Sequence, residues 1–343
     1  MFYGITSSII IRLTGAILLS LLLSLWMGKA CIKRFKKMGM VDYFRTDSPS
    51  THRSKKGIPT GGGIFIIASL TLGLLVFANL SNKLLVLAFL VTLCSGLIGL
   101  WDDRIKILKK GSRGLKVSHK LIAQTLIALC IAGYLYLEPQ FDTRMEIPFI
   151  KVNLNIGWGY IPLIAAVFVG TTNAVNLTDG LDGLCAGCLV FAGSAYGILA
   201  YFAGDAILSH QLNIAYIPGG RELAVFWAAV LGGTLGFLWY NTYPAQIFMG
   251  DTGTQVLGGA LGVTAVLIKK EILLVIIGGI FVIEALSIFI QITSFKLRGK
   301  RILKMSPLHH HYELKGIKEP KIVVRFWIAA FFLALAGLSS LVW

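Results

Sequence analysis

The chain has 343 residues, 56% of them hydrophobic and only 14% charged, with a mean hydropathy of +0.76. Those values exceed the range of water-soluble globular proteins and exclude that class. The net charge of +16 falls in short loops beside apolar runs, not on a soluble module interleaved with aromatics. It therefore excludes nucleic acid as the partner and points to membrane lipid or a phosphorylated substrate.

Runs long enough to cross a bilayer, about twenty mostly apolar residues each, are predicted at 5–27, 60–80, 84–101, 117–137, 157–175, 183–203, 222–239, 247–268, 272–295 and 322–342. The first is too long for the apolar part of a cleavable signal and has no basic flank before it, so it reads as a span. Residues 29–59 then carry Lys29, Lys33, Arg34, Lys36, Lys37, Arg45, Arg53, Lys55 and Lys56. The last two open Lys55-Lys56-Gly57-Ile58-Pro59-Thr60-Gly61-Gly62-Gly63, a glycine-rich helix start that resembles a phosphate loop but lacks the Walker pattern. Its neutral reading is inside charge beside a flexible helix start.

The third run ends in Trp101-Asp102-Asp103. Adjacent carboxylates near low dielectric call for a cation or basic partners; the bland alternative is a solvated helix end salted by Arg104 and Lys106. Residues 102–120 form the second basic loop, with Lys116 and Lys120 at its end. Between the fourth and fifth runs, Val152, Leu154 and Ile156 alternate with Asn153 and Asn155, which predicts a short hairpin over 143–156.

Between the fifth and sixth runs lies Asn173-Ala-Val-Asn176-Leu-Thr-Asp179-Gly-Leu-Asp182-Gly183. If helical, Asn173, Asn176 and Asp179 form one stripe, and a plain turn needs no such density of amides and carboxylates. Cys185 and Cys188 have CxxC spacing without a second pair, so they read as small buried residues. Asn241 and Phe248-Met-Gly250-Asp251-Thr252-Gly253 surround the start of the eighth run. There glycines allow close approach of a ligand, and the helix start offers free N–H groups to a phosphate. The third basic loop, 296–321, holds Ser306-Pro-Leu-His309-His310-His311. Three adjacent His cannot all reach one metal from regular backbone, but imidazoles near phosphates can donate hydrogen bonds or move protons. Ten spans put all three basic loops on one side, which the inside bias of Lys and Arg makes cytoplasmic, with both termini outside. The whole chain, 1–343, reads as one all-α polytopic membrane domain with a short extracytoplasmic hairpin.

In this order, Asp102-Asp103, Asn-Leu-Thr-Asp-Gly-Leu-Asp-Gly at 176–183, Phe-Met-Gly-Asp-Thr-Gly at 248–253 and Pro-Leu-His-His-His at 307–311 resemble the polyprenyl-phosphate N-acetylhexosamine-1-phosphate transferases. The likeness covers most of the chain, and the triple His is similar to the muramoyl branch rather than to the N-acetylglucosamine-1-phosphate sibling. It implies ten spans, outside termini, a homodimer, Mg²⁺ and an active-site cleft on the cytoplasmic face of the bacterial inner membrane. It further implies two substrates, a UDP-linked sugar-peptide and undecaprenyl phosphate. Asp251 is then the metal ligand, with Asp102, Asp103, His309, His310 and His311 also catalytic. Lys56, Lys116, Lys120, Asn173, Asn176, Asp179, Asp182, Asn241, Phe248 and Gln291 are the expected substrate contacts. A secondary anion transporter is the non-enzyme alternative, because broken helices and buried Asp occur there too. Against it, the acidic motifs gather on one face and not at the midplane.

Overall fold

The structure, a computed structural model, describes residues 8–41, 55, 57–109, 111, 114–138, 142–150 and 152–341. Apolar runs fold as helices because lipid offers the backbone no partner but itself. In chain order these are α1 (Ile9–Lys37), α2 (Gly63–Phe77), α3 (Lys83–Leu108), α4 (Val117–Leu137), α5 (Tyr160–Thr178), α6 (Leu184–Ala203), α7 (Ala206–Gln211), α8 (Arg221–Asn241), α9 (Gly250–Leu267), α10 (Leu274–Ile277), α11 (Gly279–Arg298), α12 (Leu308–Glu313) and α13 (Glu319–Ser339). Among the described residues eight helices are long and apolar enough to cross a membrane: α1, α3, α4, α5 with the turn before it, α6, α8, α11 and α13. The other two expected runs correspond to α2, of 15 residues, and α9, of 18.

Helices α8 and α9 form the interior. From Thr252 to Leu267 every residue of α9 is buried, and α8 is buried on nearly all sides. A helix surrounded by protein requires small residues wherever a neighbour comes close. Thus Ala16, Ser20, Ser24 and Gly28 line the buried stripe of α1 against Gly232 and Gly236 of α8, and a Cβ on Gly232 would come within 2.3 Å of the Ile17 carbonyl oxygen. Ser24 Oγ donates to the Gly233 carbonyl at 2.8 Å, which satisfies the buried hydroxyl.

The predicted hairpin is present. β1 (Arg144–Ile147) pairs antiparallel with β2 (Val152–Asn155), Arg144 opposite Asn155 and Ile147 opposite Val152. Lys270 Nζ, just beyond α9, holds it through Glu146 Oε1 at 2.6 Å. The hairpin therefore sits at the C-terminal end of α9, and everything described next sits at its N-terminal end. At 1.5 Å per residue the two ends are about 27 Å apart.

Candidate active site

Three helix ends and two loops build the site. The segment before α2 runs beside the one before α9: Phe248 N–H donates to the Pro59 carbonyl at 2.9 Å, and Gly62 and Gly63 N–H donate to the Phe248 and Met249 carbonyls at 2.9 and 3.0 Å. This brings α2, α3 and the start of α9 into near backbone contact. A Cβ on Gly63 would meet Gly253 N at 2.2 Å, and one on Gly99 would meet the Asp251 carbonyl at 2.2 Å. Gly63 and Gly99 thus serve helix packing, as does Gly253 of the second glycine-rich motif, while Gly250 of that motif lines the pocket.

Asp103, buried on α3, caps α9 from outside. Its Oδ1 accepts the Asp251 N–H at 2.9 Å, and its Oδ2 accepts the Thr252 N–H at 2.9 Å and the Thr252 hydroxyl at 2.7 Å. The N–H groups expected to face a phosphate are thus taken by a carboxylate, the usual solution for a helix start. The cap also presents the Asp251 side chain to the same point as Asp102. Asp102, Asp103 and Asp251 each offer an oxygen, all within 4.8 Å of one another.

Lysines hold these acids together. Lys106, one turn after Asp102, places its Nζ 2.7 Å from Asp102 Oδ2 and 3.2 Å from Asp251 Oδ1. Lys120 reaches Asp251 Oδ2 at 2.6 Å, and Asn176 Nδ2 donates to Asp251 Oδ1 at 3.0 Å and to Thr254 Oγ1 at 2.7 Å. Asp102 Oδ1 accepts the Leu115 N–H at 2.8 Å, while its buried Oδ2 has no aligned hydrogen bond. Octahedral Mg²⁺ sets adjacent ligand oxygens about 3 Å apart and opposite ones about 4.2 Å, so this oxygen-only set suits one such hard cation once its side chains draw together.

The cluster opens on a pocket of about 250 Å³, whose walls include Lys106, Asn176, Asp179, Asp182, Phe248 and His310. One side is braced by a second charged knot. Lys55 Nζ lies 2.6 Å from both Asp182 Oδ1 and Glu319 Oε1, and Glu319 Oε1 also accepts the Asp182 N–H at 2.7 Å. Burial would depress the ammonium pKa, but the two carboxylates outweigh it and Lys55 lies above the ordinary lysine value. Asp182 Oδ2 accepts the Ala245 N–H at 2.9 Å, so this side chain ties the loop at 179–183 to that at 242–249. Asn241 does the same, accepting from Gly183 N–H at 3.0 Å and donating to the Ile247 carbonyl at 2.9 Å.

The remaining expected residues separate. The stripe on α5 divides: Asn176 turns to Asp251, whereas Asn173 donates to Gln124 Oε1 at 2.7 Å within the bundle. The three His point three ways. His309 is buried beside Glu284, His310 lines the pocket with Nδ1 2.6 Å from Glu313 Oε2, and His311 Nδ1 accepts the Lys304 N–H at 3.0 Å. Slight burial and the charges of Lys315 and Lys304 lower the His311 pKa. Gln291 is away from the pocket; its Oε1 accepts from Ile302 and Leu303 N–H at 3.1 and 2.9 Å, fastening the loop after α11. Lys116 is exposed before α4 and outside the pocket wall, and Lys56 lies outside the described residues. Sequence reasoning passed over Glu319 and Glu284, and named Lys106 and Lys55 only as neighbouring charge and not as site residues. For Lys106 the signal was the four-residue spacing from Asp102; for Glu284 it was a lone carboxylate inside an apolar run.

A helical membrane bundle with an acidic and basic pocket at one end of its interior helix defines a class, the polytopic membrane proteins equipped to handle charged ligands, transferases and transporters alike. Residues 84–269 match the sequence model of glycosyl transferase family 4. The phospho-N-acetylmuramoyl-pentapeptide-transferase of Desulfotalea psychrophila is 46% identical over 341 residues, covering 99% of this chain and 95% of the relative. That of Thermodesulfovibrio yellowstonii is 48% identical over 330 residues, 95% and 91% of the two chains, and that of Syntrophus aciditrophicus 45% over 342, 99% and 95%. The chain belongs to glycosyl transferase family 4, among the phospho-N-acetylmuramoyl-pentapeptide-transferases. It is accordingly an enzyme, a glycosyl-1-phosphate transferase, and the transporter alternative falls.

Proposed function

We propose that the protein moves phospho-N-acetylmuramoyl-pentapeptide from its UDP carrier to undecaprenyl phosphate, releasing UMP and the first lipid-linked peptidoglycan precursor. On this reading it is a ten-span homodimeric protein of the bacterial inner membrane with both termini outside. The pocket opens to the cytoplasm, where a soluble nucleotide-sugar and a membrane-held phosphate can meet. The observation that carries it is the convergence of Asp102, Asp103 and Asp251 with Lys106 and Lys120 beside one pocket, which Asp103, Lys106 and Asp251 line.

Two polyanions must approach each other, so their repulsion adds to the barrier. Lys106 and Lys120 bring fixed positive charge to that point, which needs no reorganisation during reaction. Asp251 would hold Mg²⁺ with Asp102 and Asp103 in reach, and the ion would neutralise phosphate charge. A phosphate monoester has a second pKa near ~6, so the lipid phosphate is mostly a dianion at neutral pH and a competent nucleophile. It attacks the β-phosphorus of the UDP-sugar, the bond to the UMP oxygen breaks, and UMP leaves. Asp102 orients the lipid phosphate, and no covalent enzyme intermediate is needed. Phe248 stacks on uracil while Asn176 and Asp179 read polar edges. The test is UMP release from purified protein supplied with both substrates. Release that is equal with UDP-N-acetylglucosamine as donor, or that occurs without lipid, would contradict this assignment.

A further inference from the structure

Glu284 sits within the membrane helix α11 and is fully buried. Its carboxylate meets only His309 among the described residues: Oε1 accepts the His309 backbone N–H at 3.2 Å, and Oε2 lies 3.2 Å from His309 Nδ1. Oε2 and both ring nitrogens are buried without an aligned hydrogen bond. A carboxylate inside a membrane helix is costly, and a neutral pair would join α11 to α12 at less expense. The position of the ring supplies a reason for the charge. A Cβ on Gly180 would come within 2.2 Å of His309 Nε2, and the rings of His309 and His310 are 4.2 Å apart, edge to face. Gly180 and His310 both line the pocket. The imidazole thus stands behind the pocket wall, with one nitrogen toward Glu284 and the other toward the bare backbone of Gly180.

We propose that Glu284 is a positioning residue for the transfer reaction, turning the His309 imidazole so that Nδ1 faces the buried carboxylate and Nε2 faces the substrate phosphates across Gly180. The inference rests on the reading under Proposed function. A carboxylate that receives Nδ1–H fixes the tautomer and the ring plane, and leaves Nε2 directed at the Gly180 stretch of the pocket wall. Gly180 has a φ outside the left-handed region, so it is there for lack of a side chain and not for backbone freedom.

The experiment measures UMP release from the full-length protein with both substrates, for wild type, Glu284→Gln, Glu284→Asp and Gly180→Ala, with melting temperature as a check on folding. Glu284→Gln keeps the shape and loses the charge; it is expected to lower kcat at least about tenfold with KM for the UDP-sugar within about twofold of wild type. Glu284→Asp should recover part of that loss, which a purely structural contact between helices would not predict. Gly180→Ala places a methyl group against Nε2 and should likewise lower kcat. A folded Glu284→Gln with wild-type kcat overturns the proposal, as does Glu284→Asp no more active than Glu284→Gln. Should Glu284→Gln fail to fold, wild-type kcat in Gly180→Ala overturns it instead. Wild-type protein that releases no UMP defeats the underlying reading, and that result is separate from any variant.

Discussion

Lys106→Met tests whether the three carboxylates share one cation. In the structure Lys106 lies between Asp102 and Asp251, so its ammonium occupies ground that a metal ion would also claim. Two carboxylate charges 4.8 Å apart, the outer limit of the cluster, repel by about 3.5 kcal/mol at an effective dielectric constant of 20. Removing the lysine exposes that repulsion, and Lys120 screens only Asp251. The variant should therefore be less stable without metal, and should bind Mg²⁺ up to about 300-fold more tightly, since each 1.36 kcal/mol is a factor of ten. Its turnover should fall all the same, because fixed positive charge beside the phosphates is lost. Thermal melts of purified protein against Mg²⁺ concentration measure the affinity, with Ca²⁺ as a comparison ion. A variant that melts like wild type and gains no more from Mg²⁺ would refute the shared-cation reasoning.

Asp251→Asn should fold and insert but lose at least about a hundredfold in kcat at every Mg²⁺ concentration; near-wild-type turnover removes Asp251 as metal ligand. Phe248→Ala should raise KM for the UDP-sugar by roughly ten- to a hundredfold, the range of a lost base–aromatic stack, and leave KM for the lipid nearly unchanged; equal effects on both substrates make Phe248 scaffold. Glu319→Ala breaks the buried Lys55 knot and should cost about 3–5 kcal/mol in denaturant or thermal unfolding, whereas a loss under about 1 kcal/mol would mean the knot behaves as an exposed ion pair. Asp102→Asn should keep a residual rate that rises as pH passes about 6, where the lipid phosphate loses its last proton. Isolation of a protein-bound phospho-sugar with stoichiometric UMP, lipid withheld, defeats direct displacement.

What could be read from the sequence follows from what each residue has for a neighbour. Lipid is a uniform solvent, so the eight long apolar helices announce themselves by composition, and the hairpin by its two-residue alternation. Helix α9 is the exception that explains the rule. Its Gly253, Gly258, Gly259 and Gly262 dilute the apolar signal because its neighbours are other helices, and closeness there demands small side chains. The acids were legible for the same reason in reverse: a carboxylate beside an apolar run must be matched by a cation, so Asp102, Asp103 and Asp251 stood out before any contact was known. Sequence cannot say which cation, or whether a polar group turns to a ligand or to the chain. Asp103 spends both oxygens on the start of α9, and Asn241 and Gln291 spend their amides on loop backbone. Each is the residue type a substrate site would use, and each fastens backbone in this fold, Asp103 and Asn241 while also lining the pocket. That division is set by which backbone N–H groups the fold leaves without a partner, and only the assembled helices decide it.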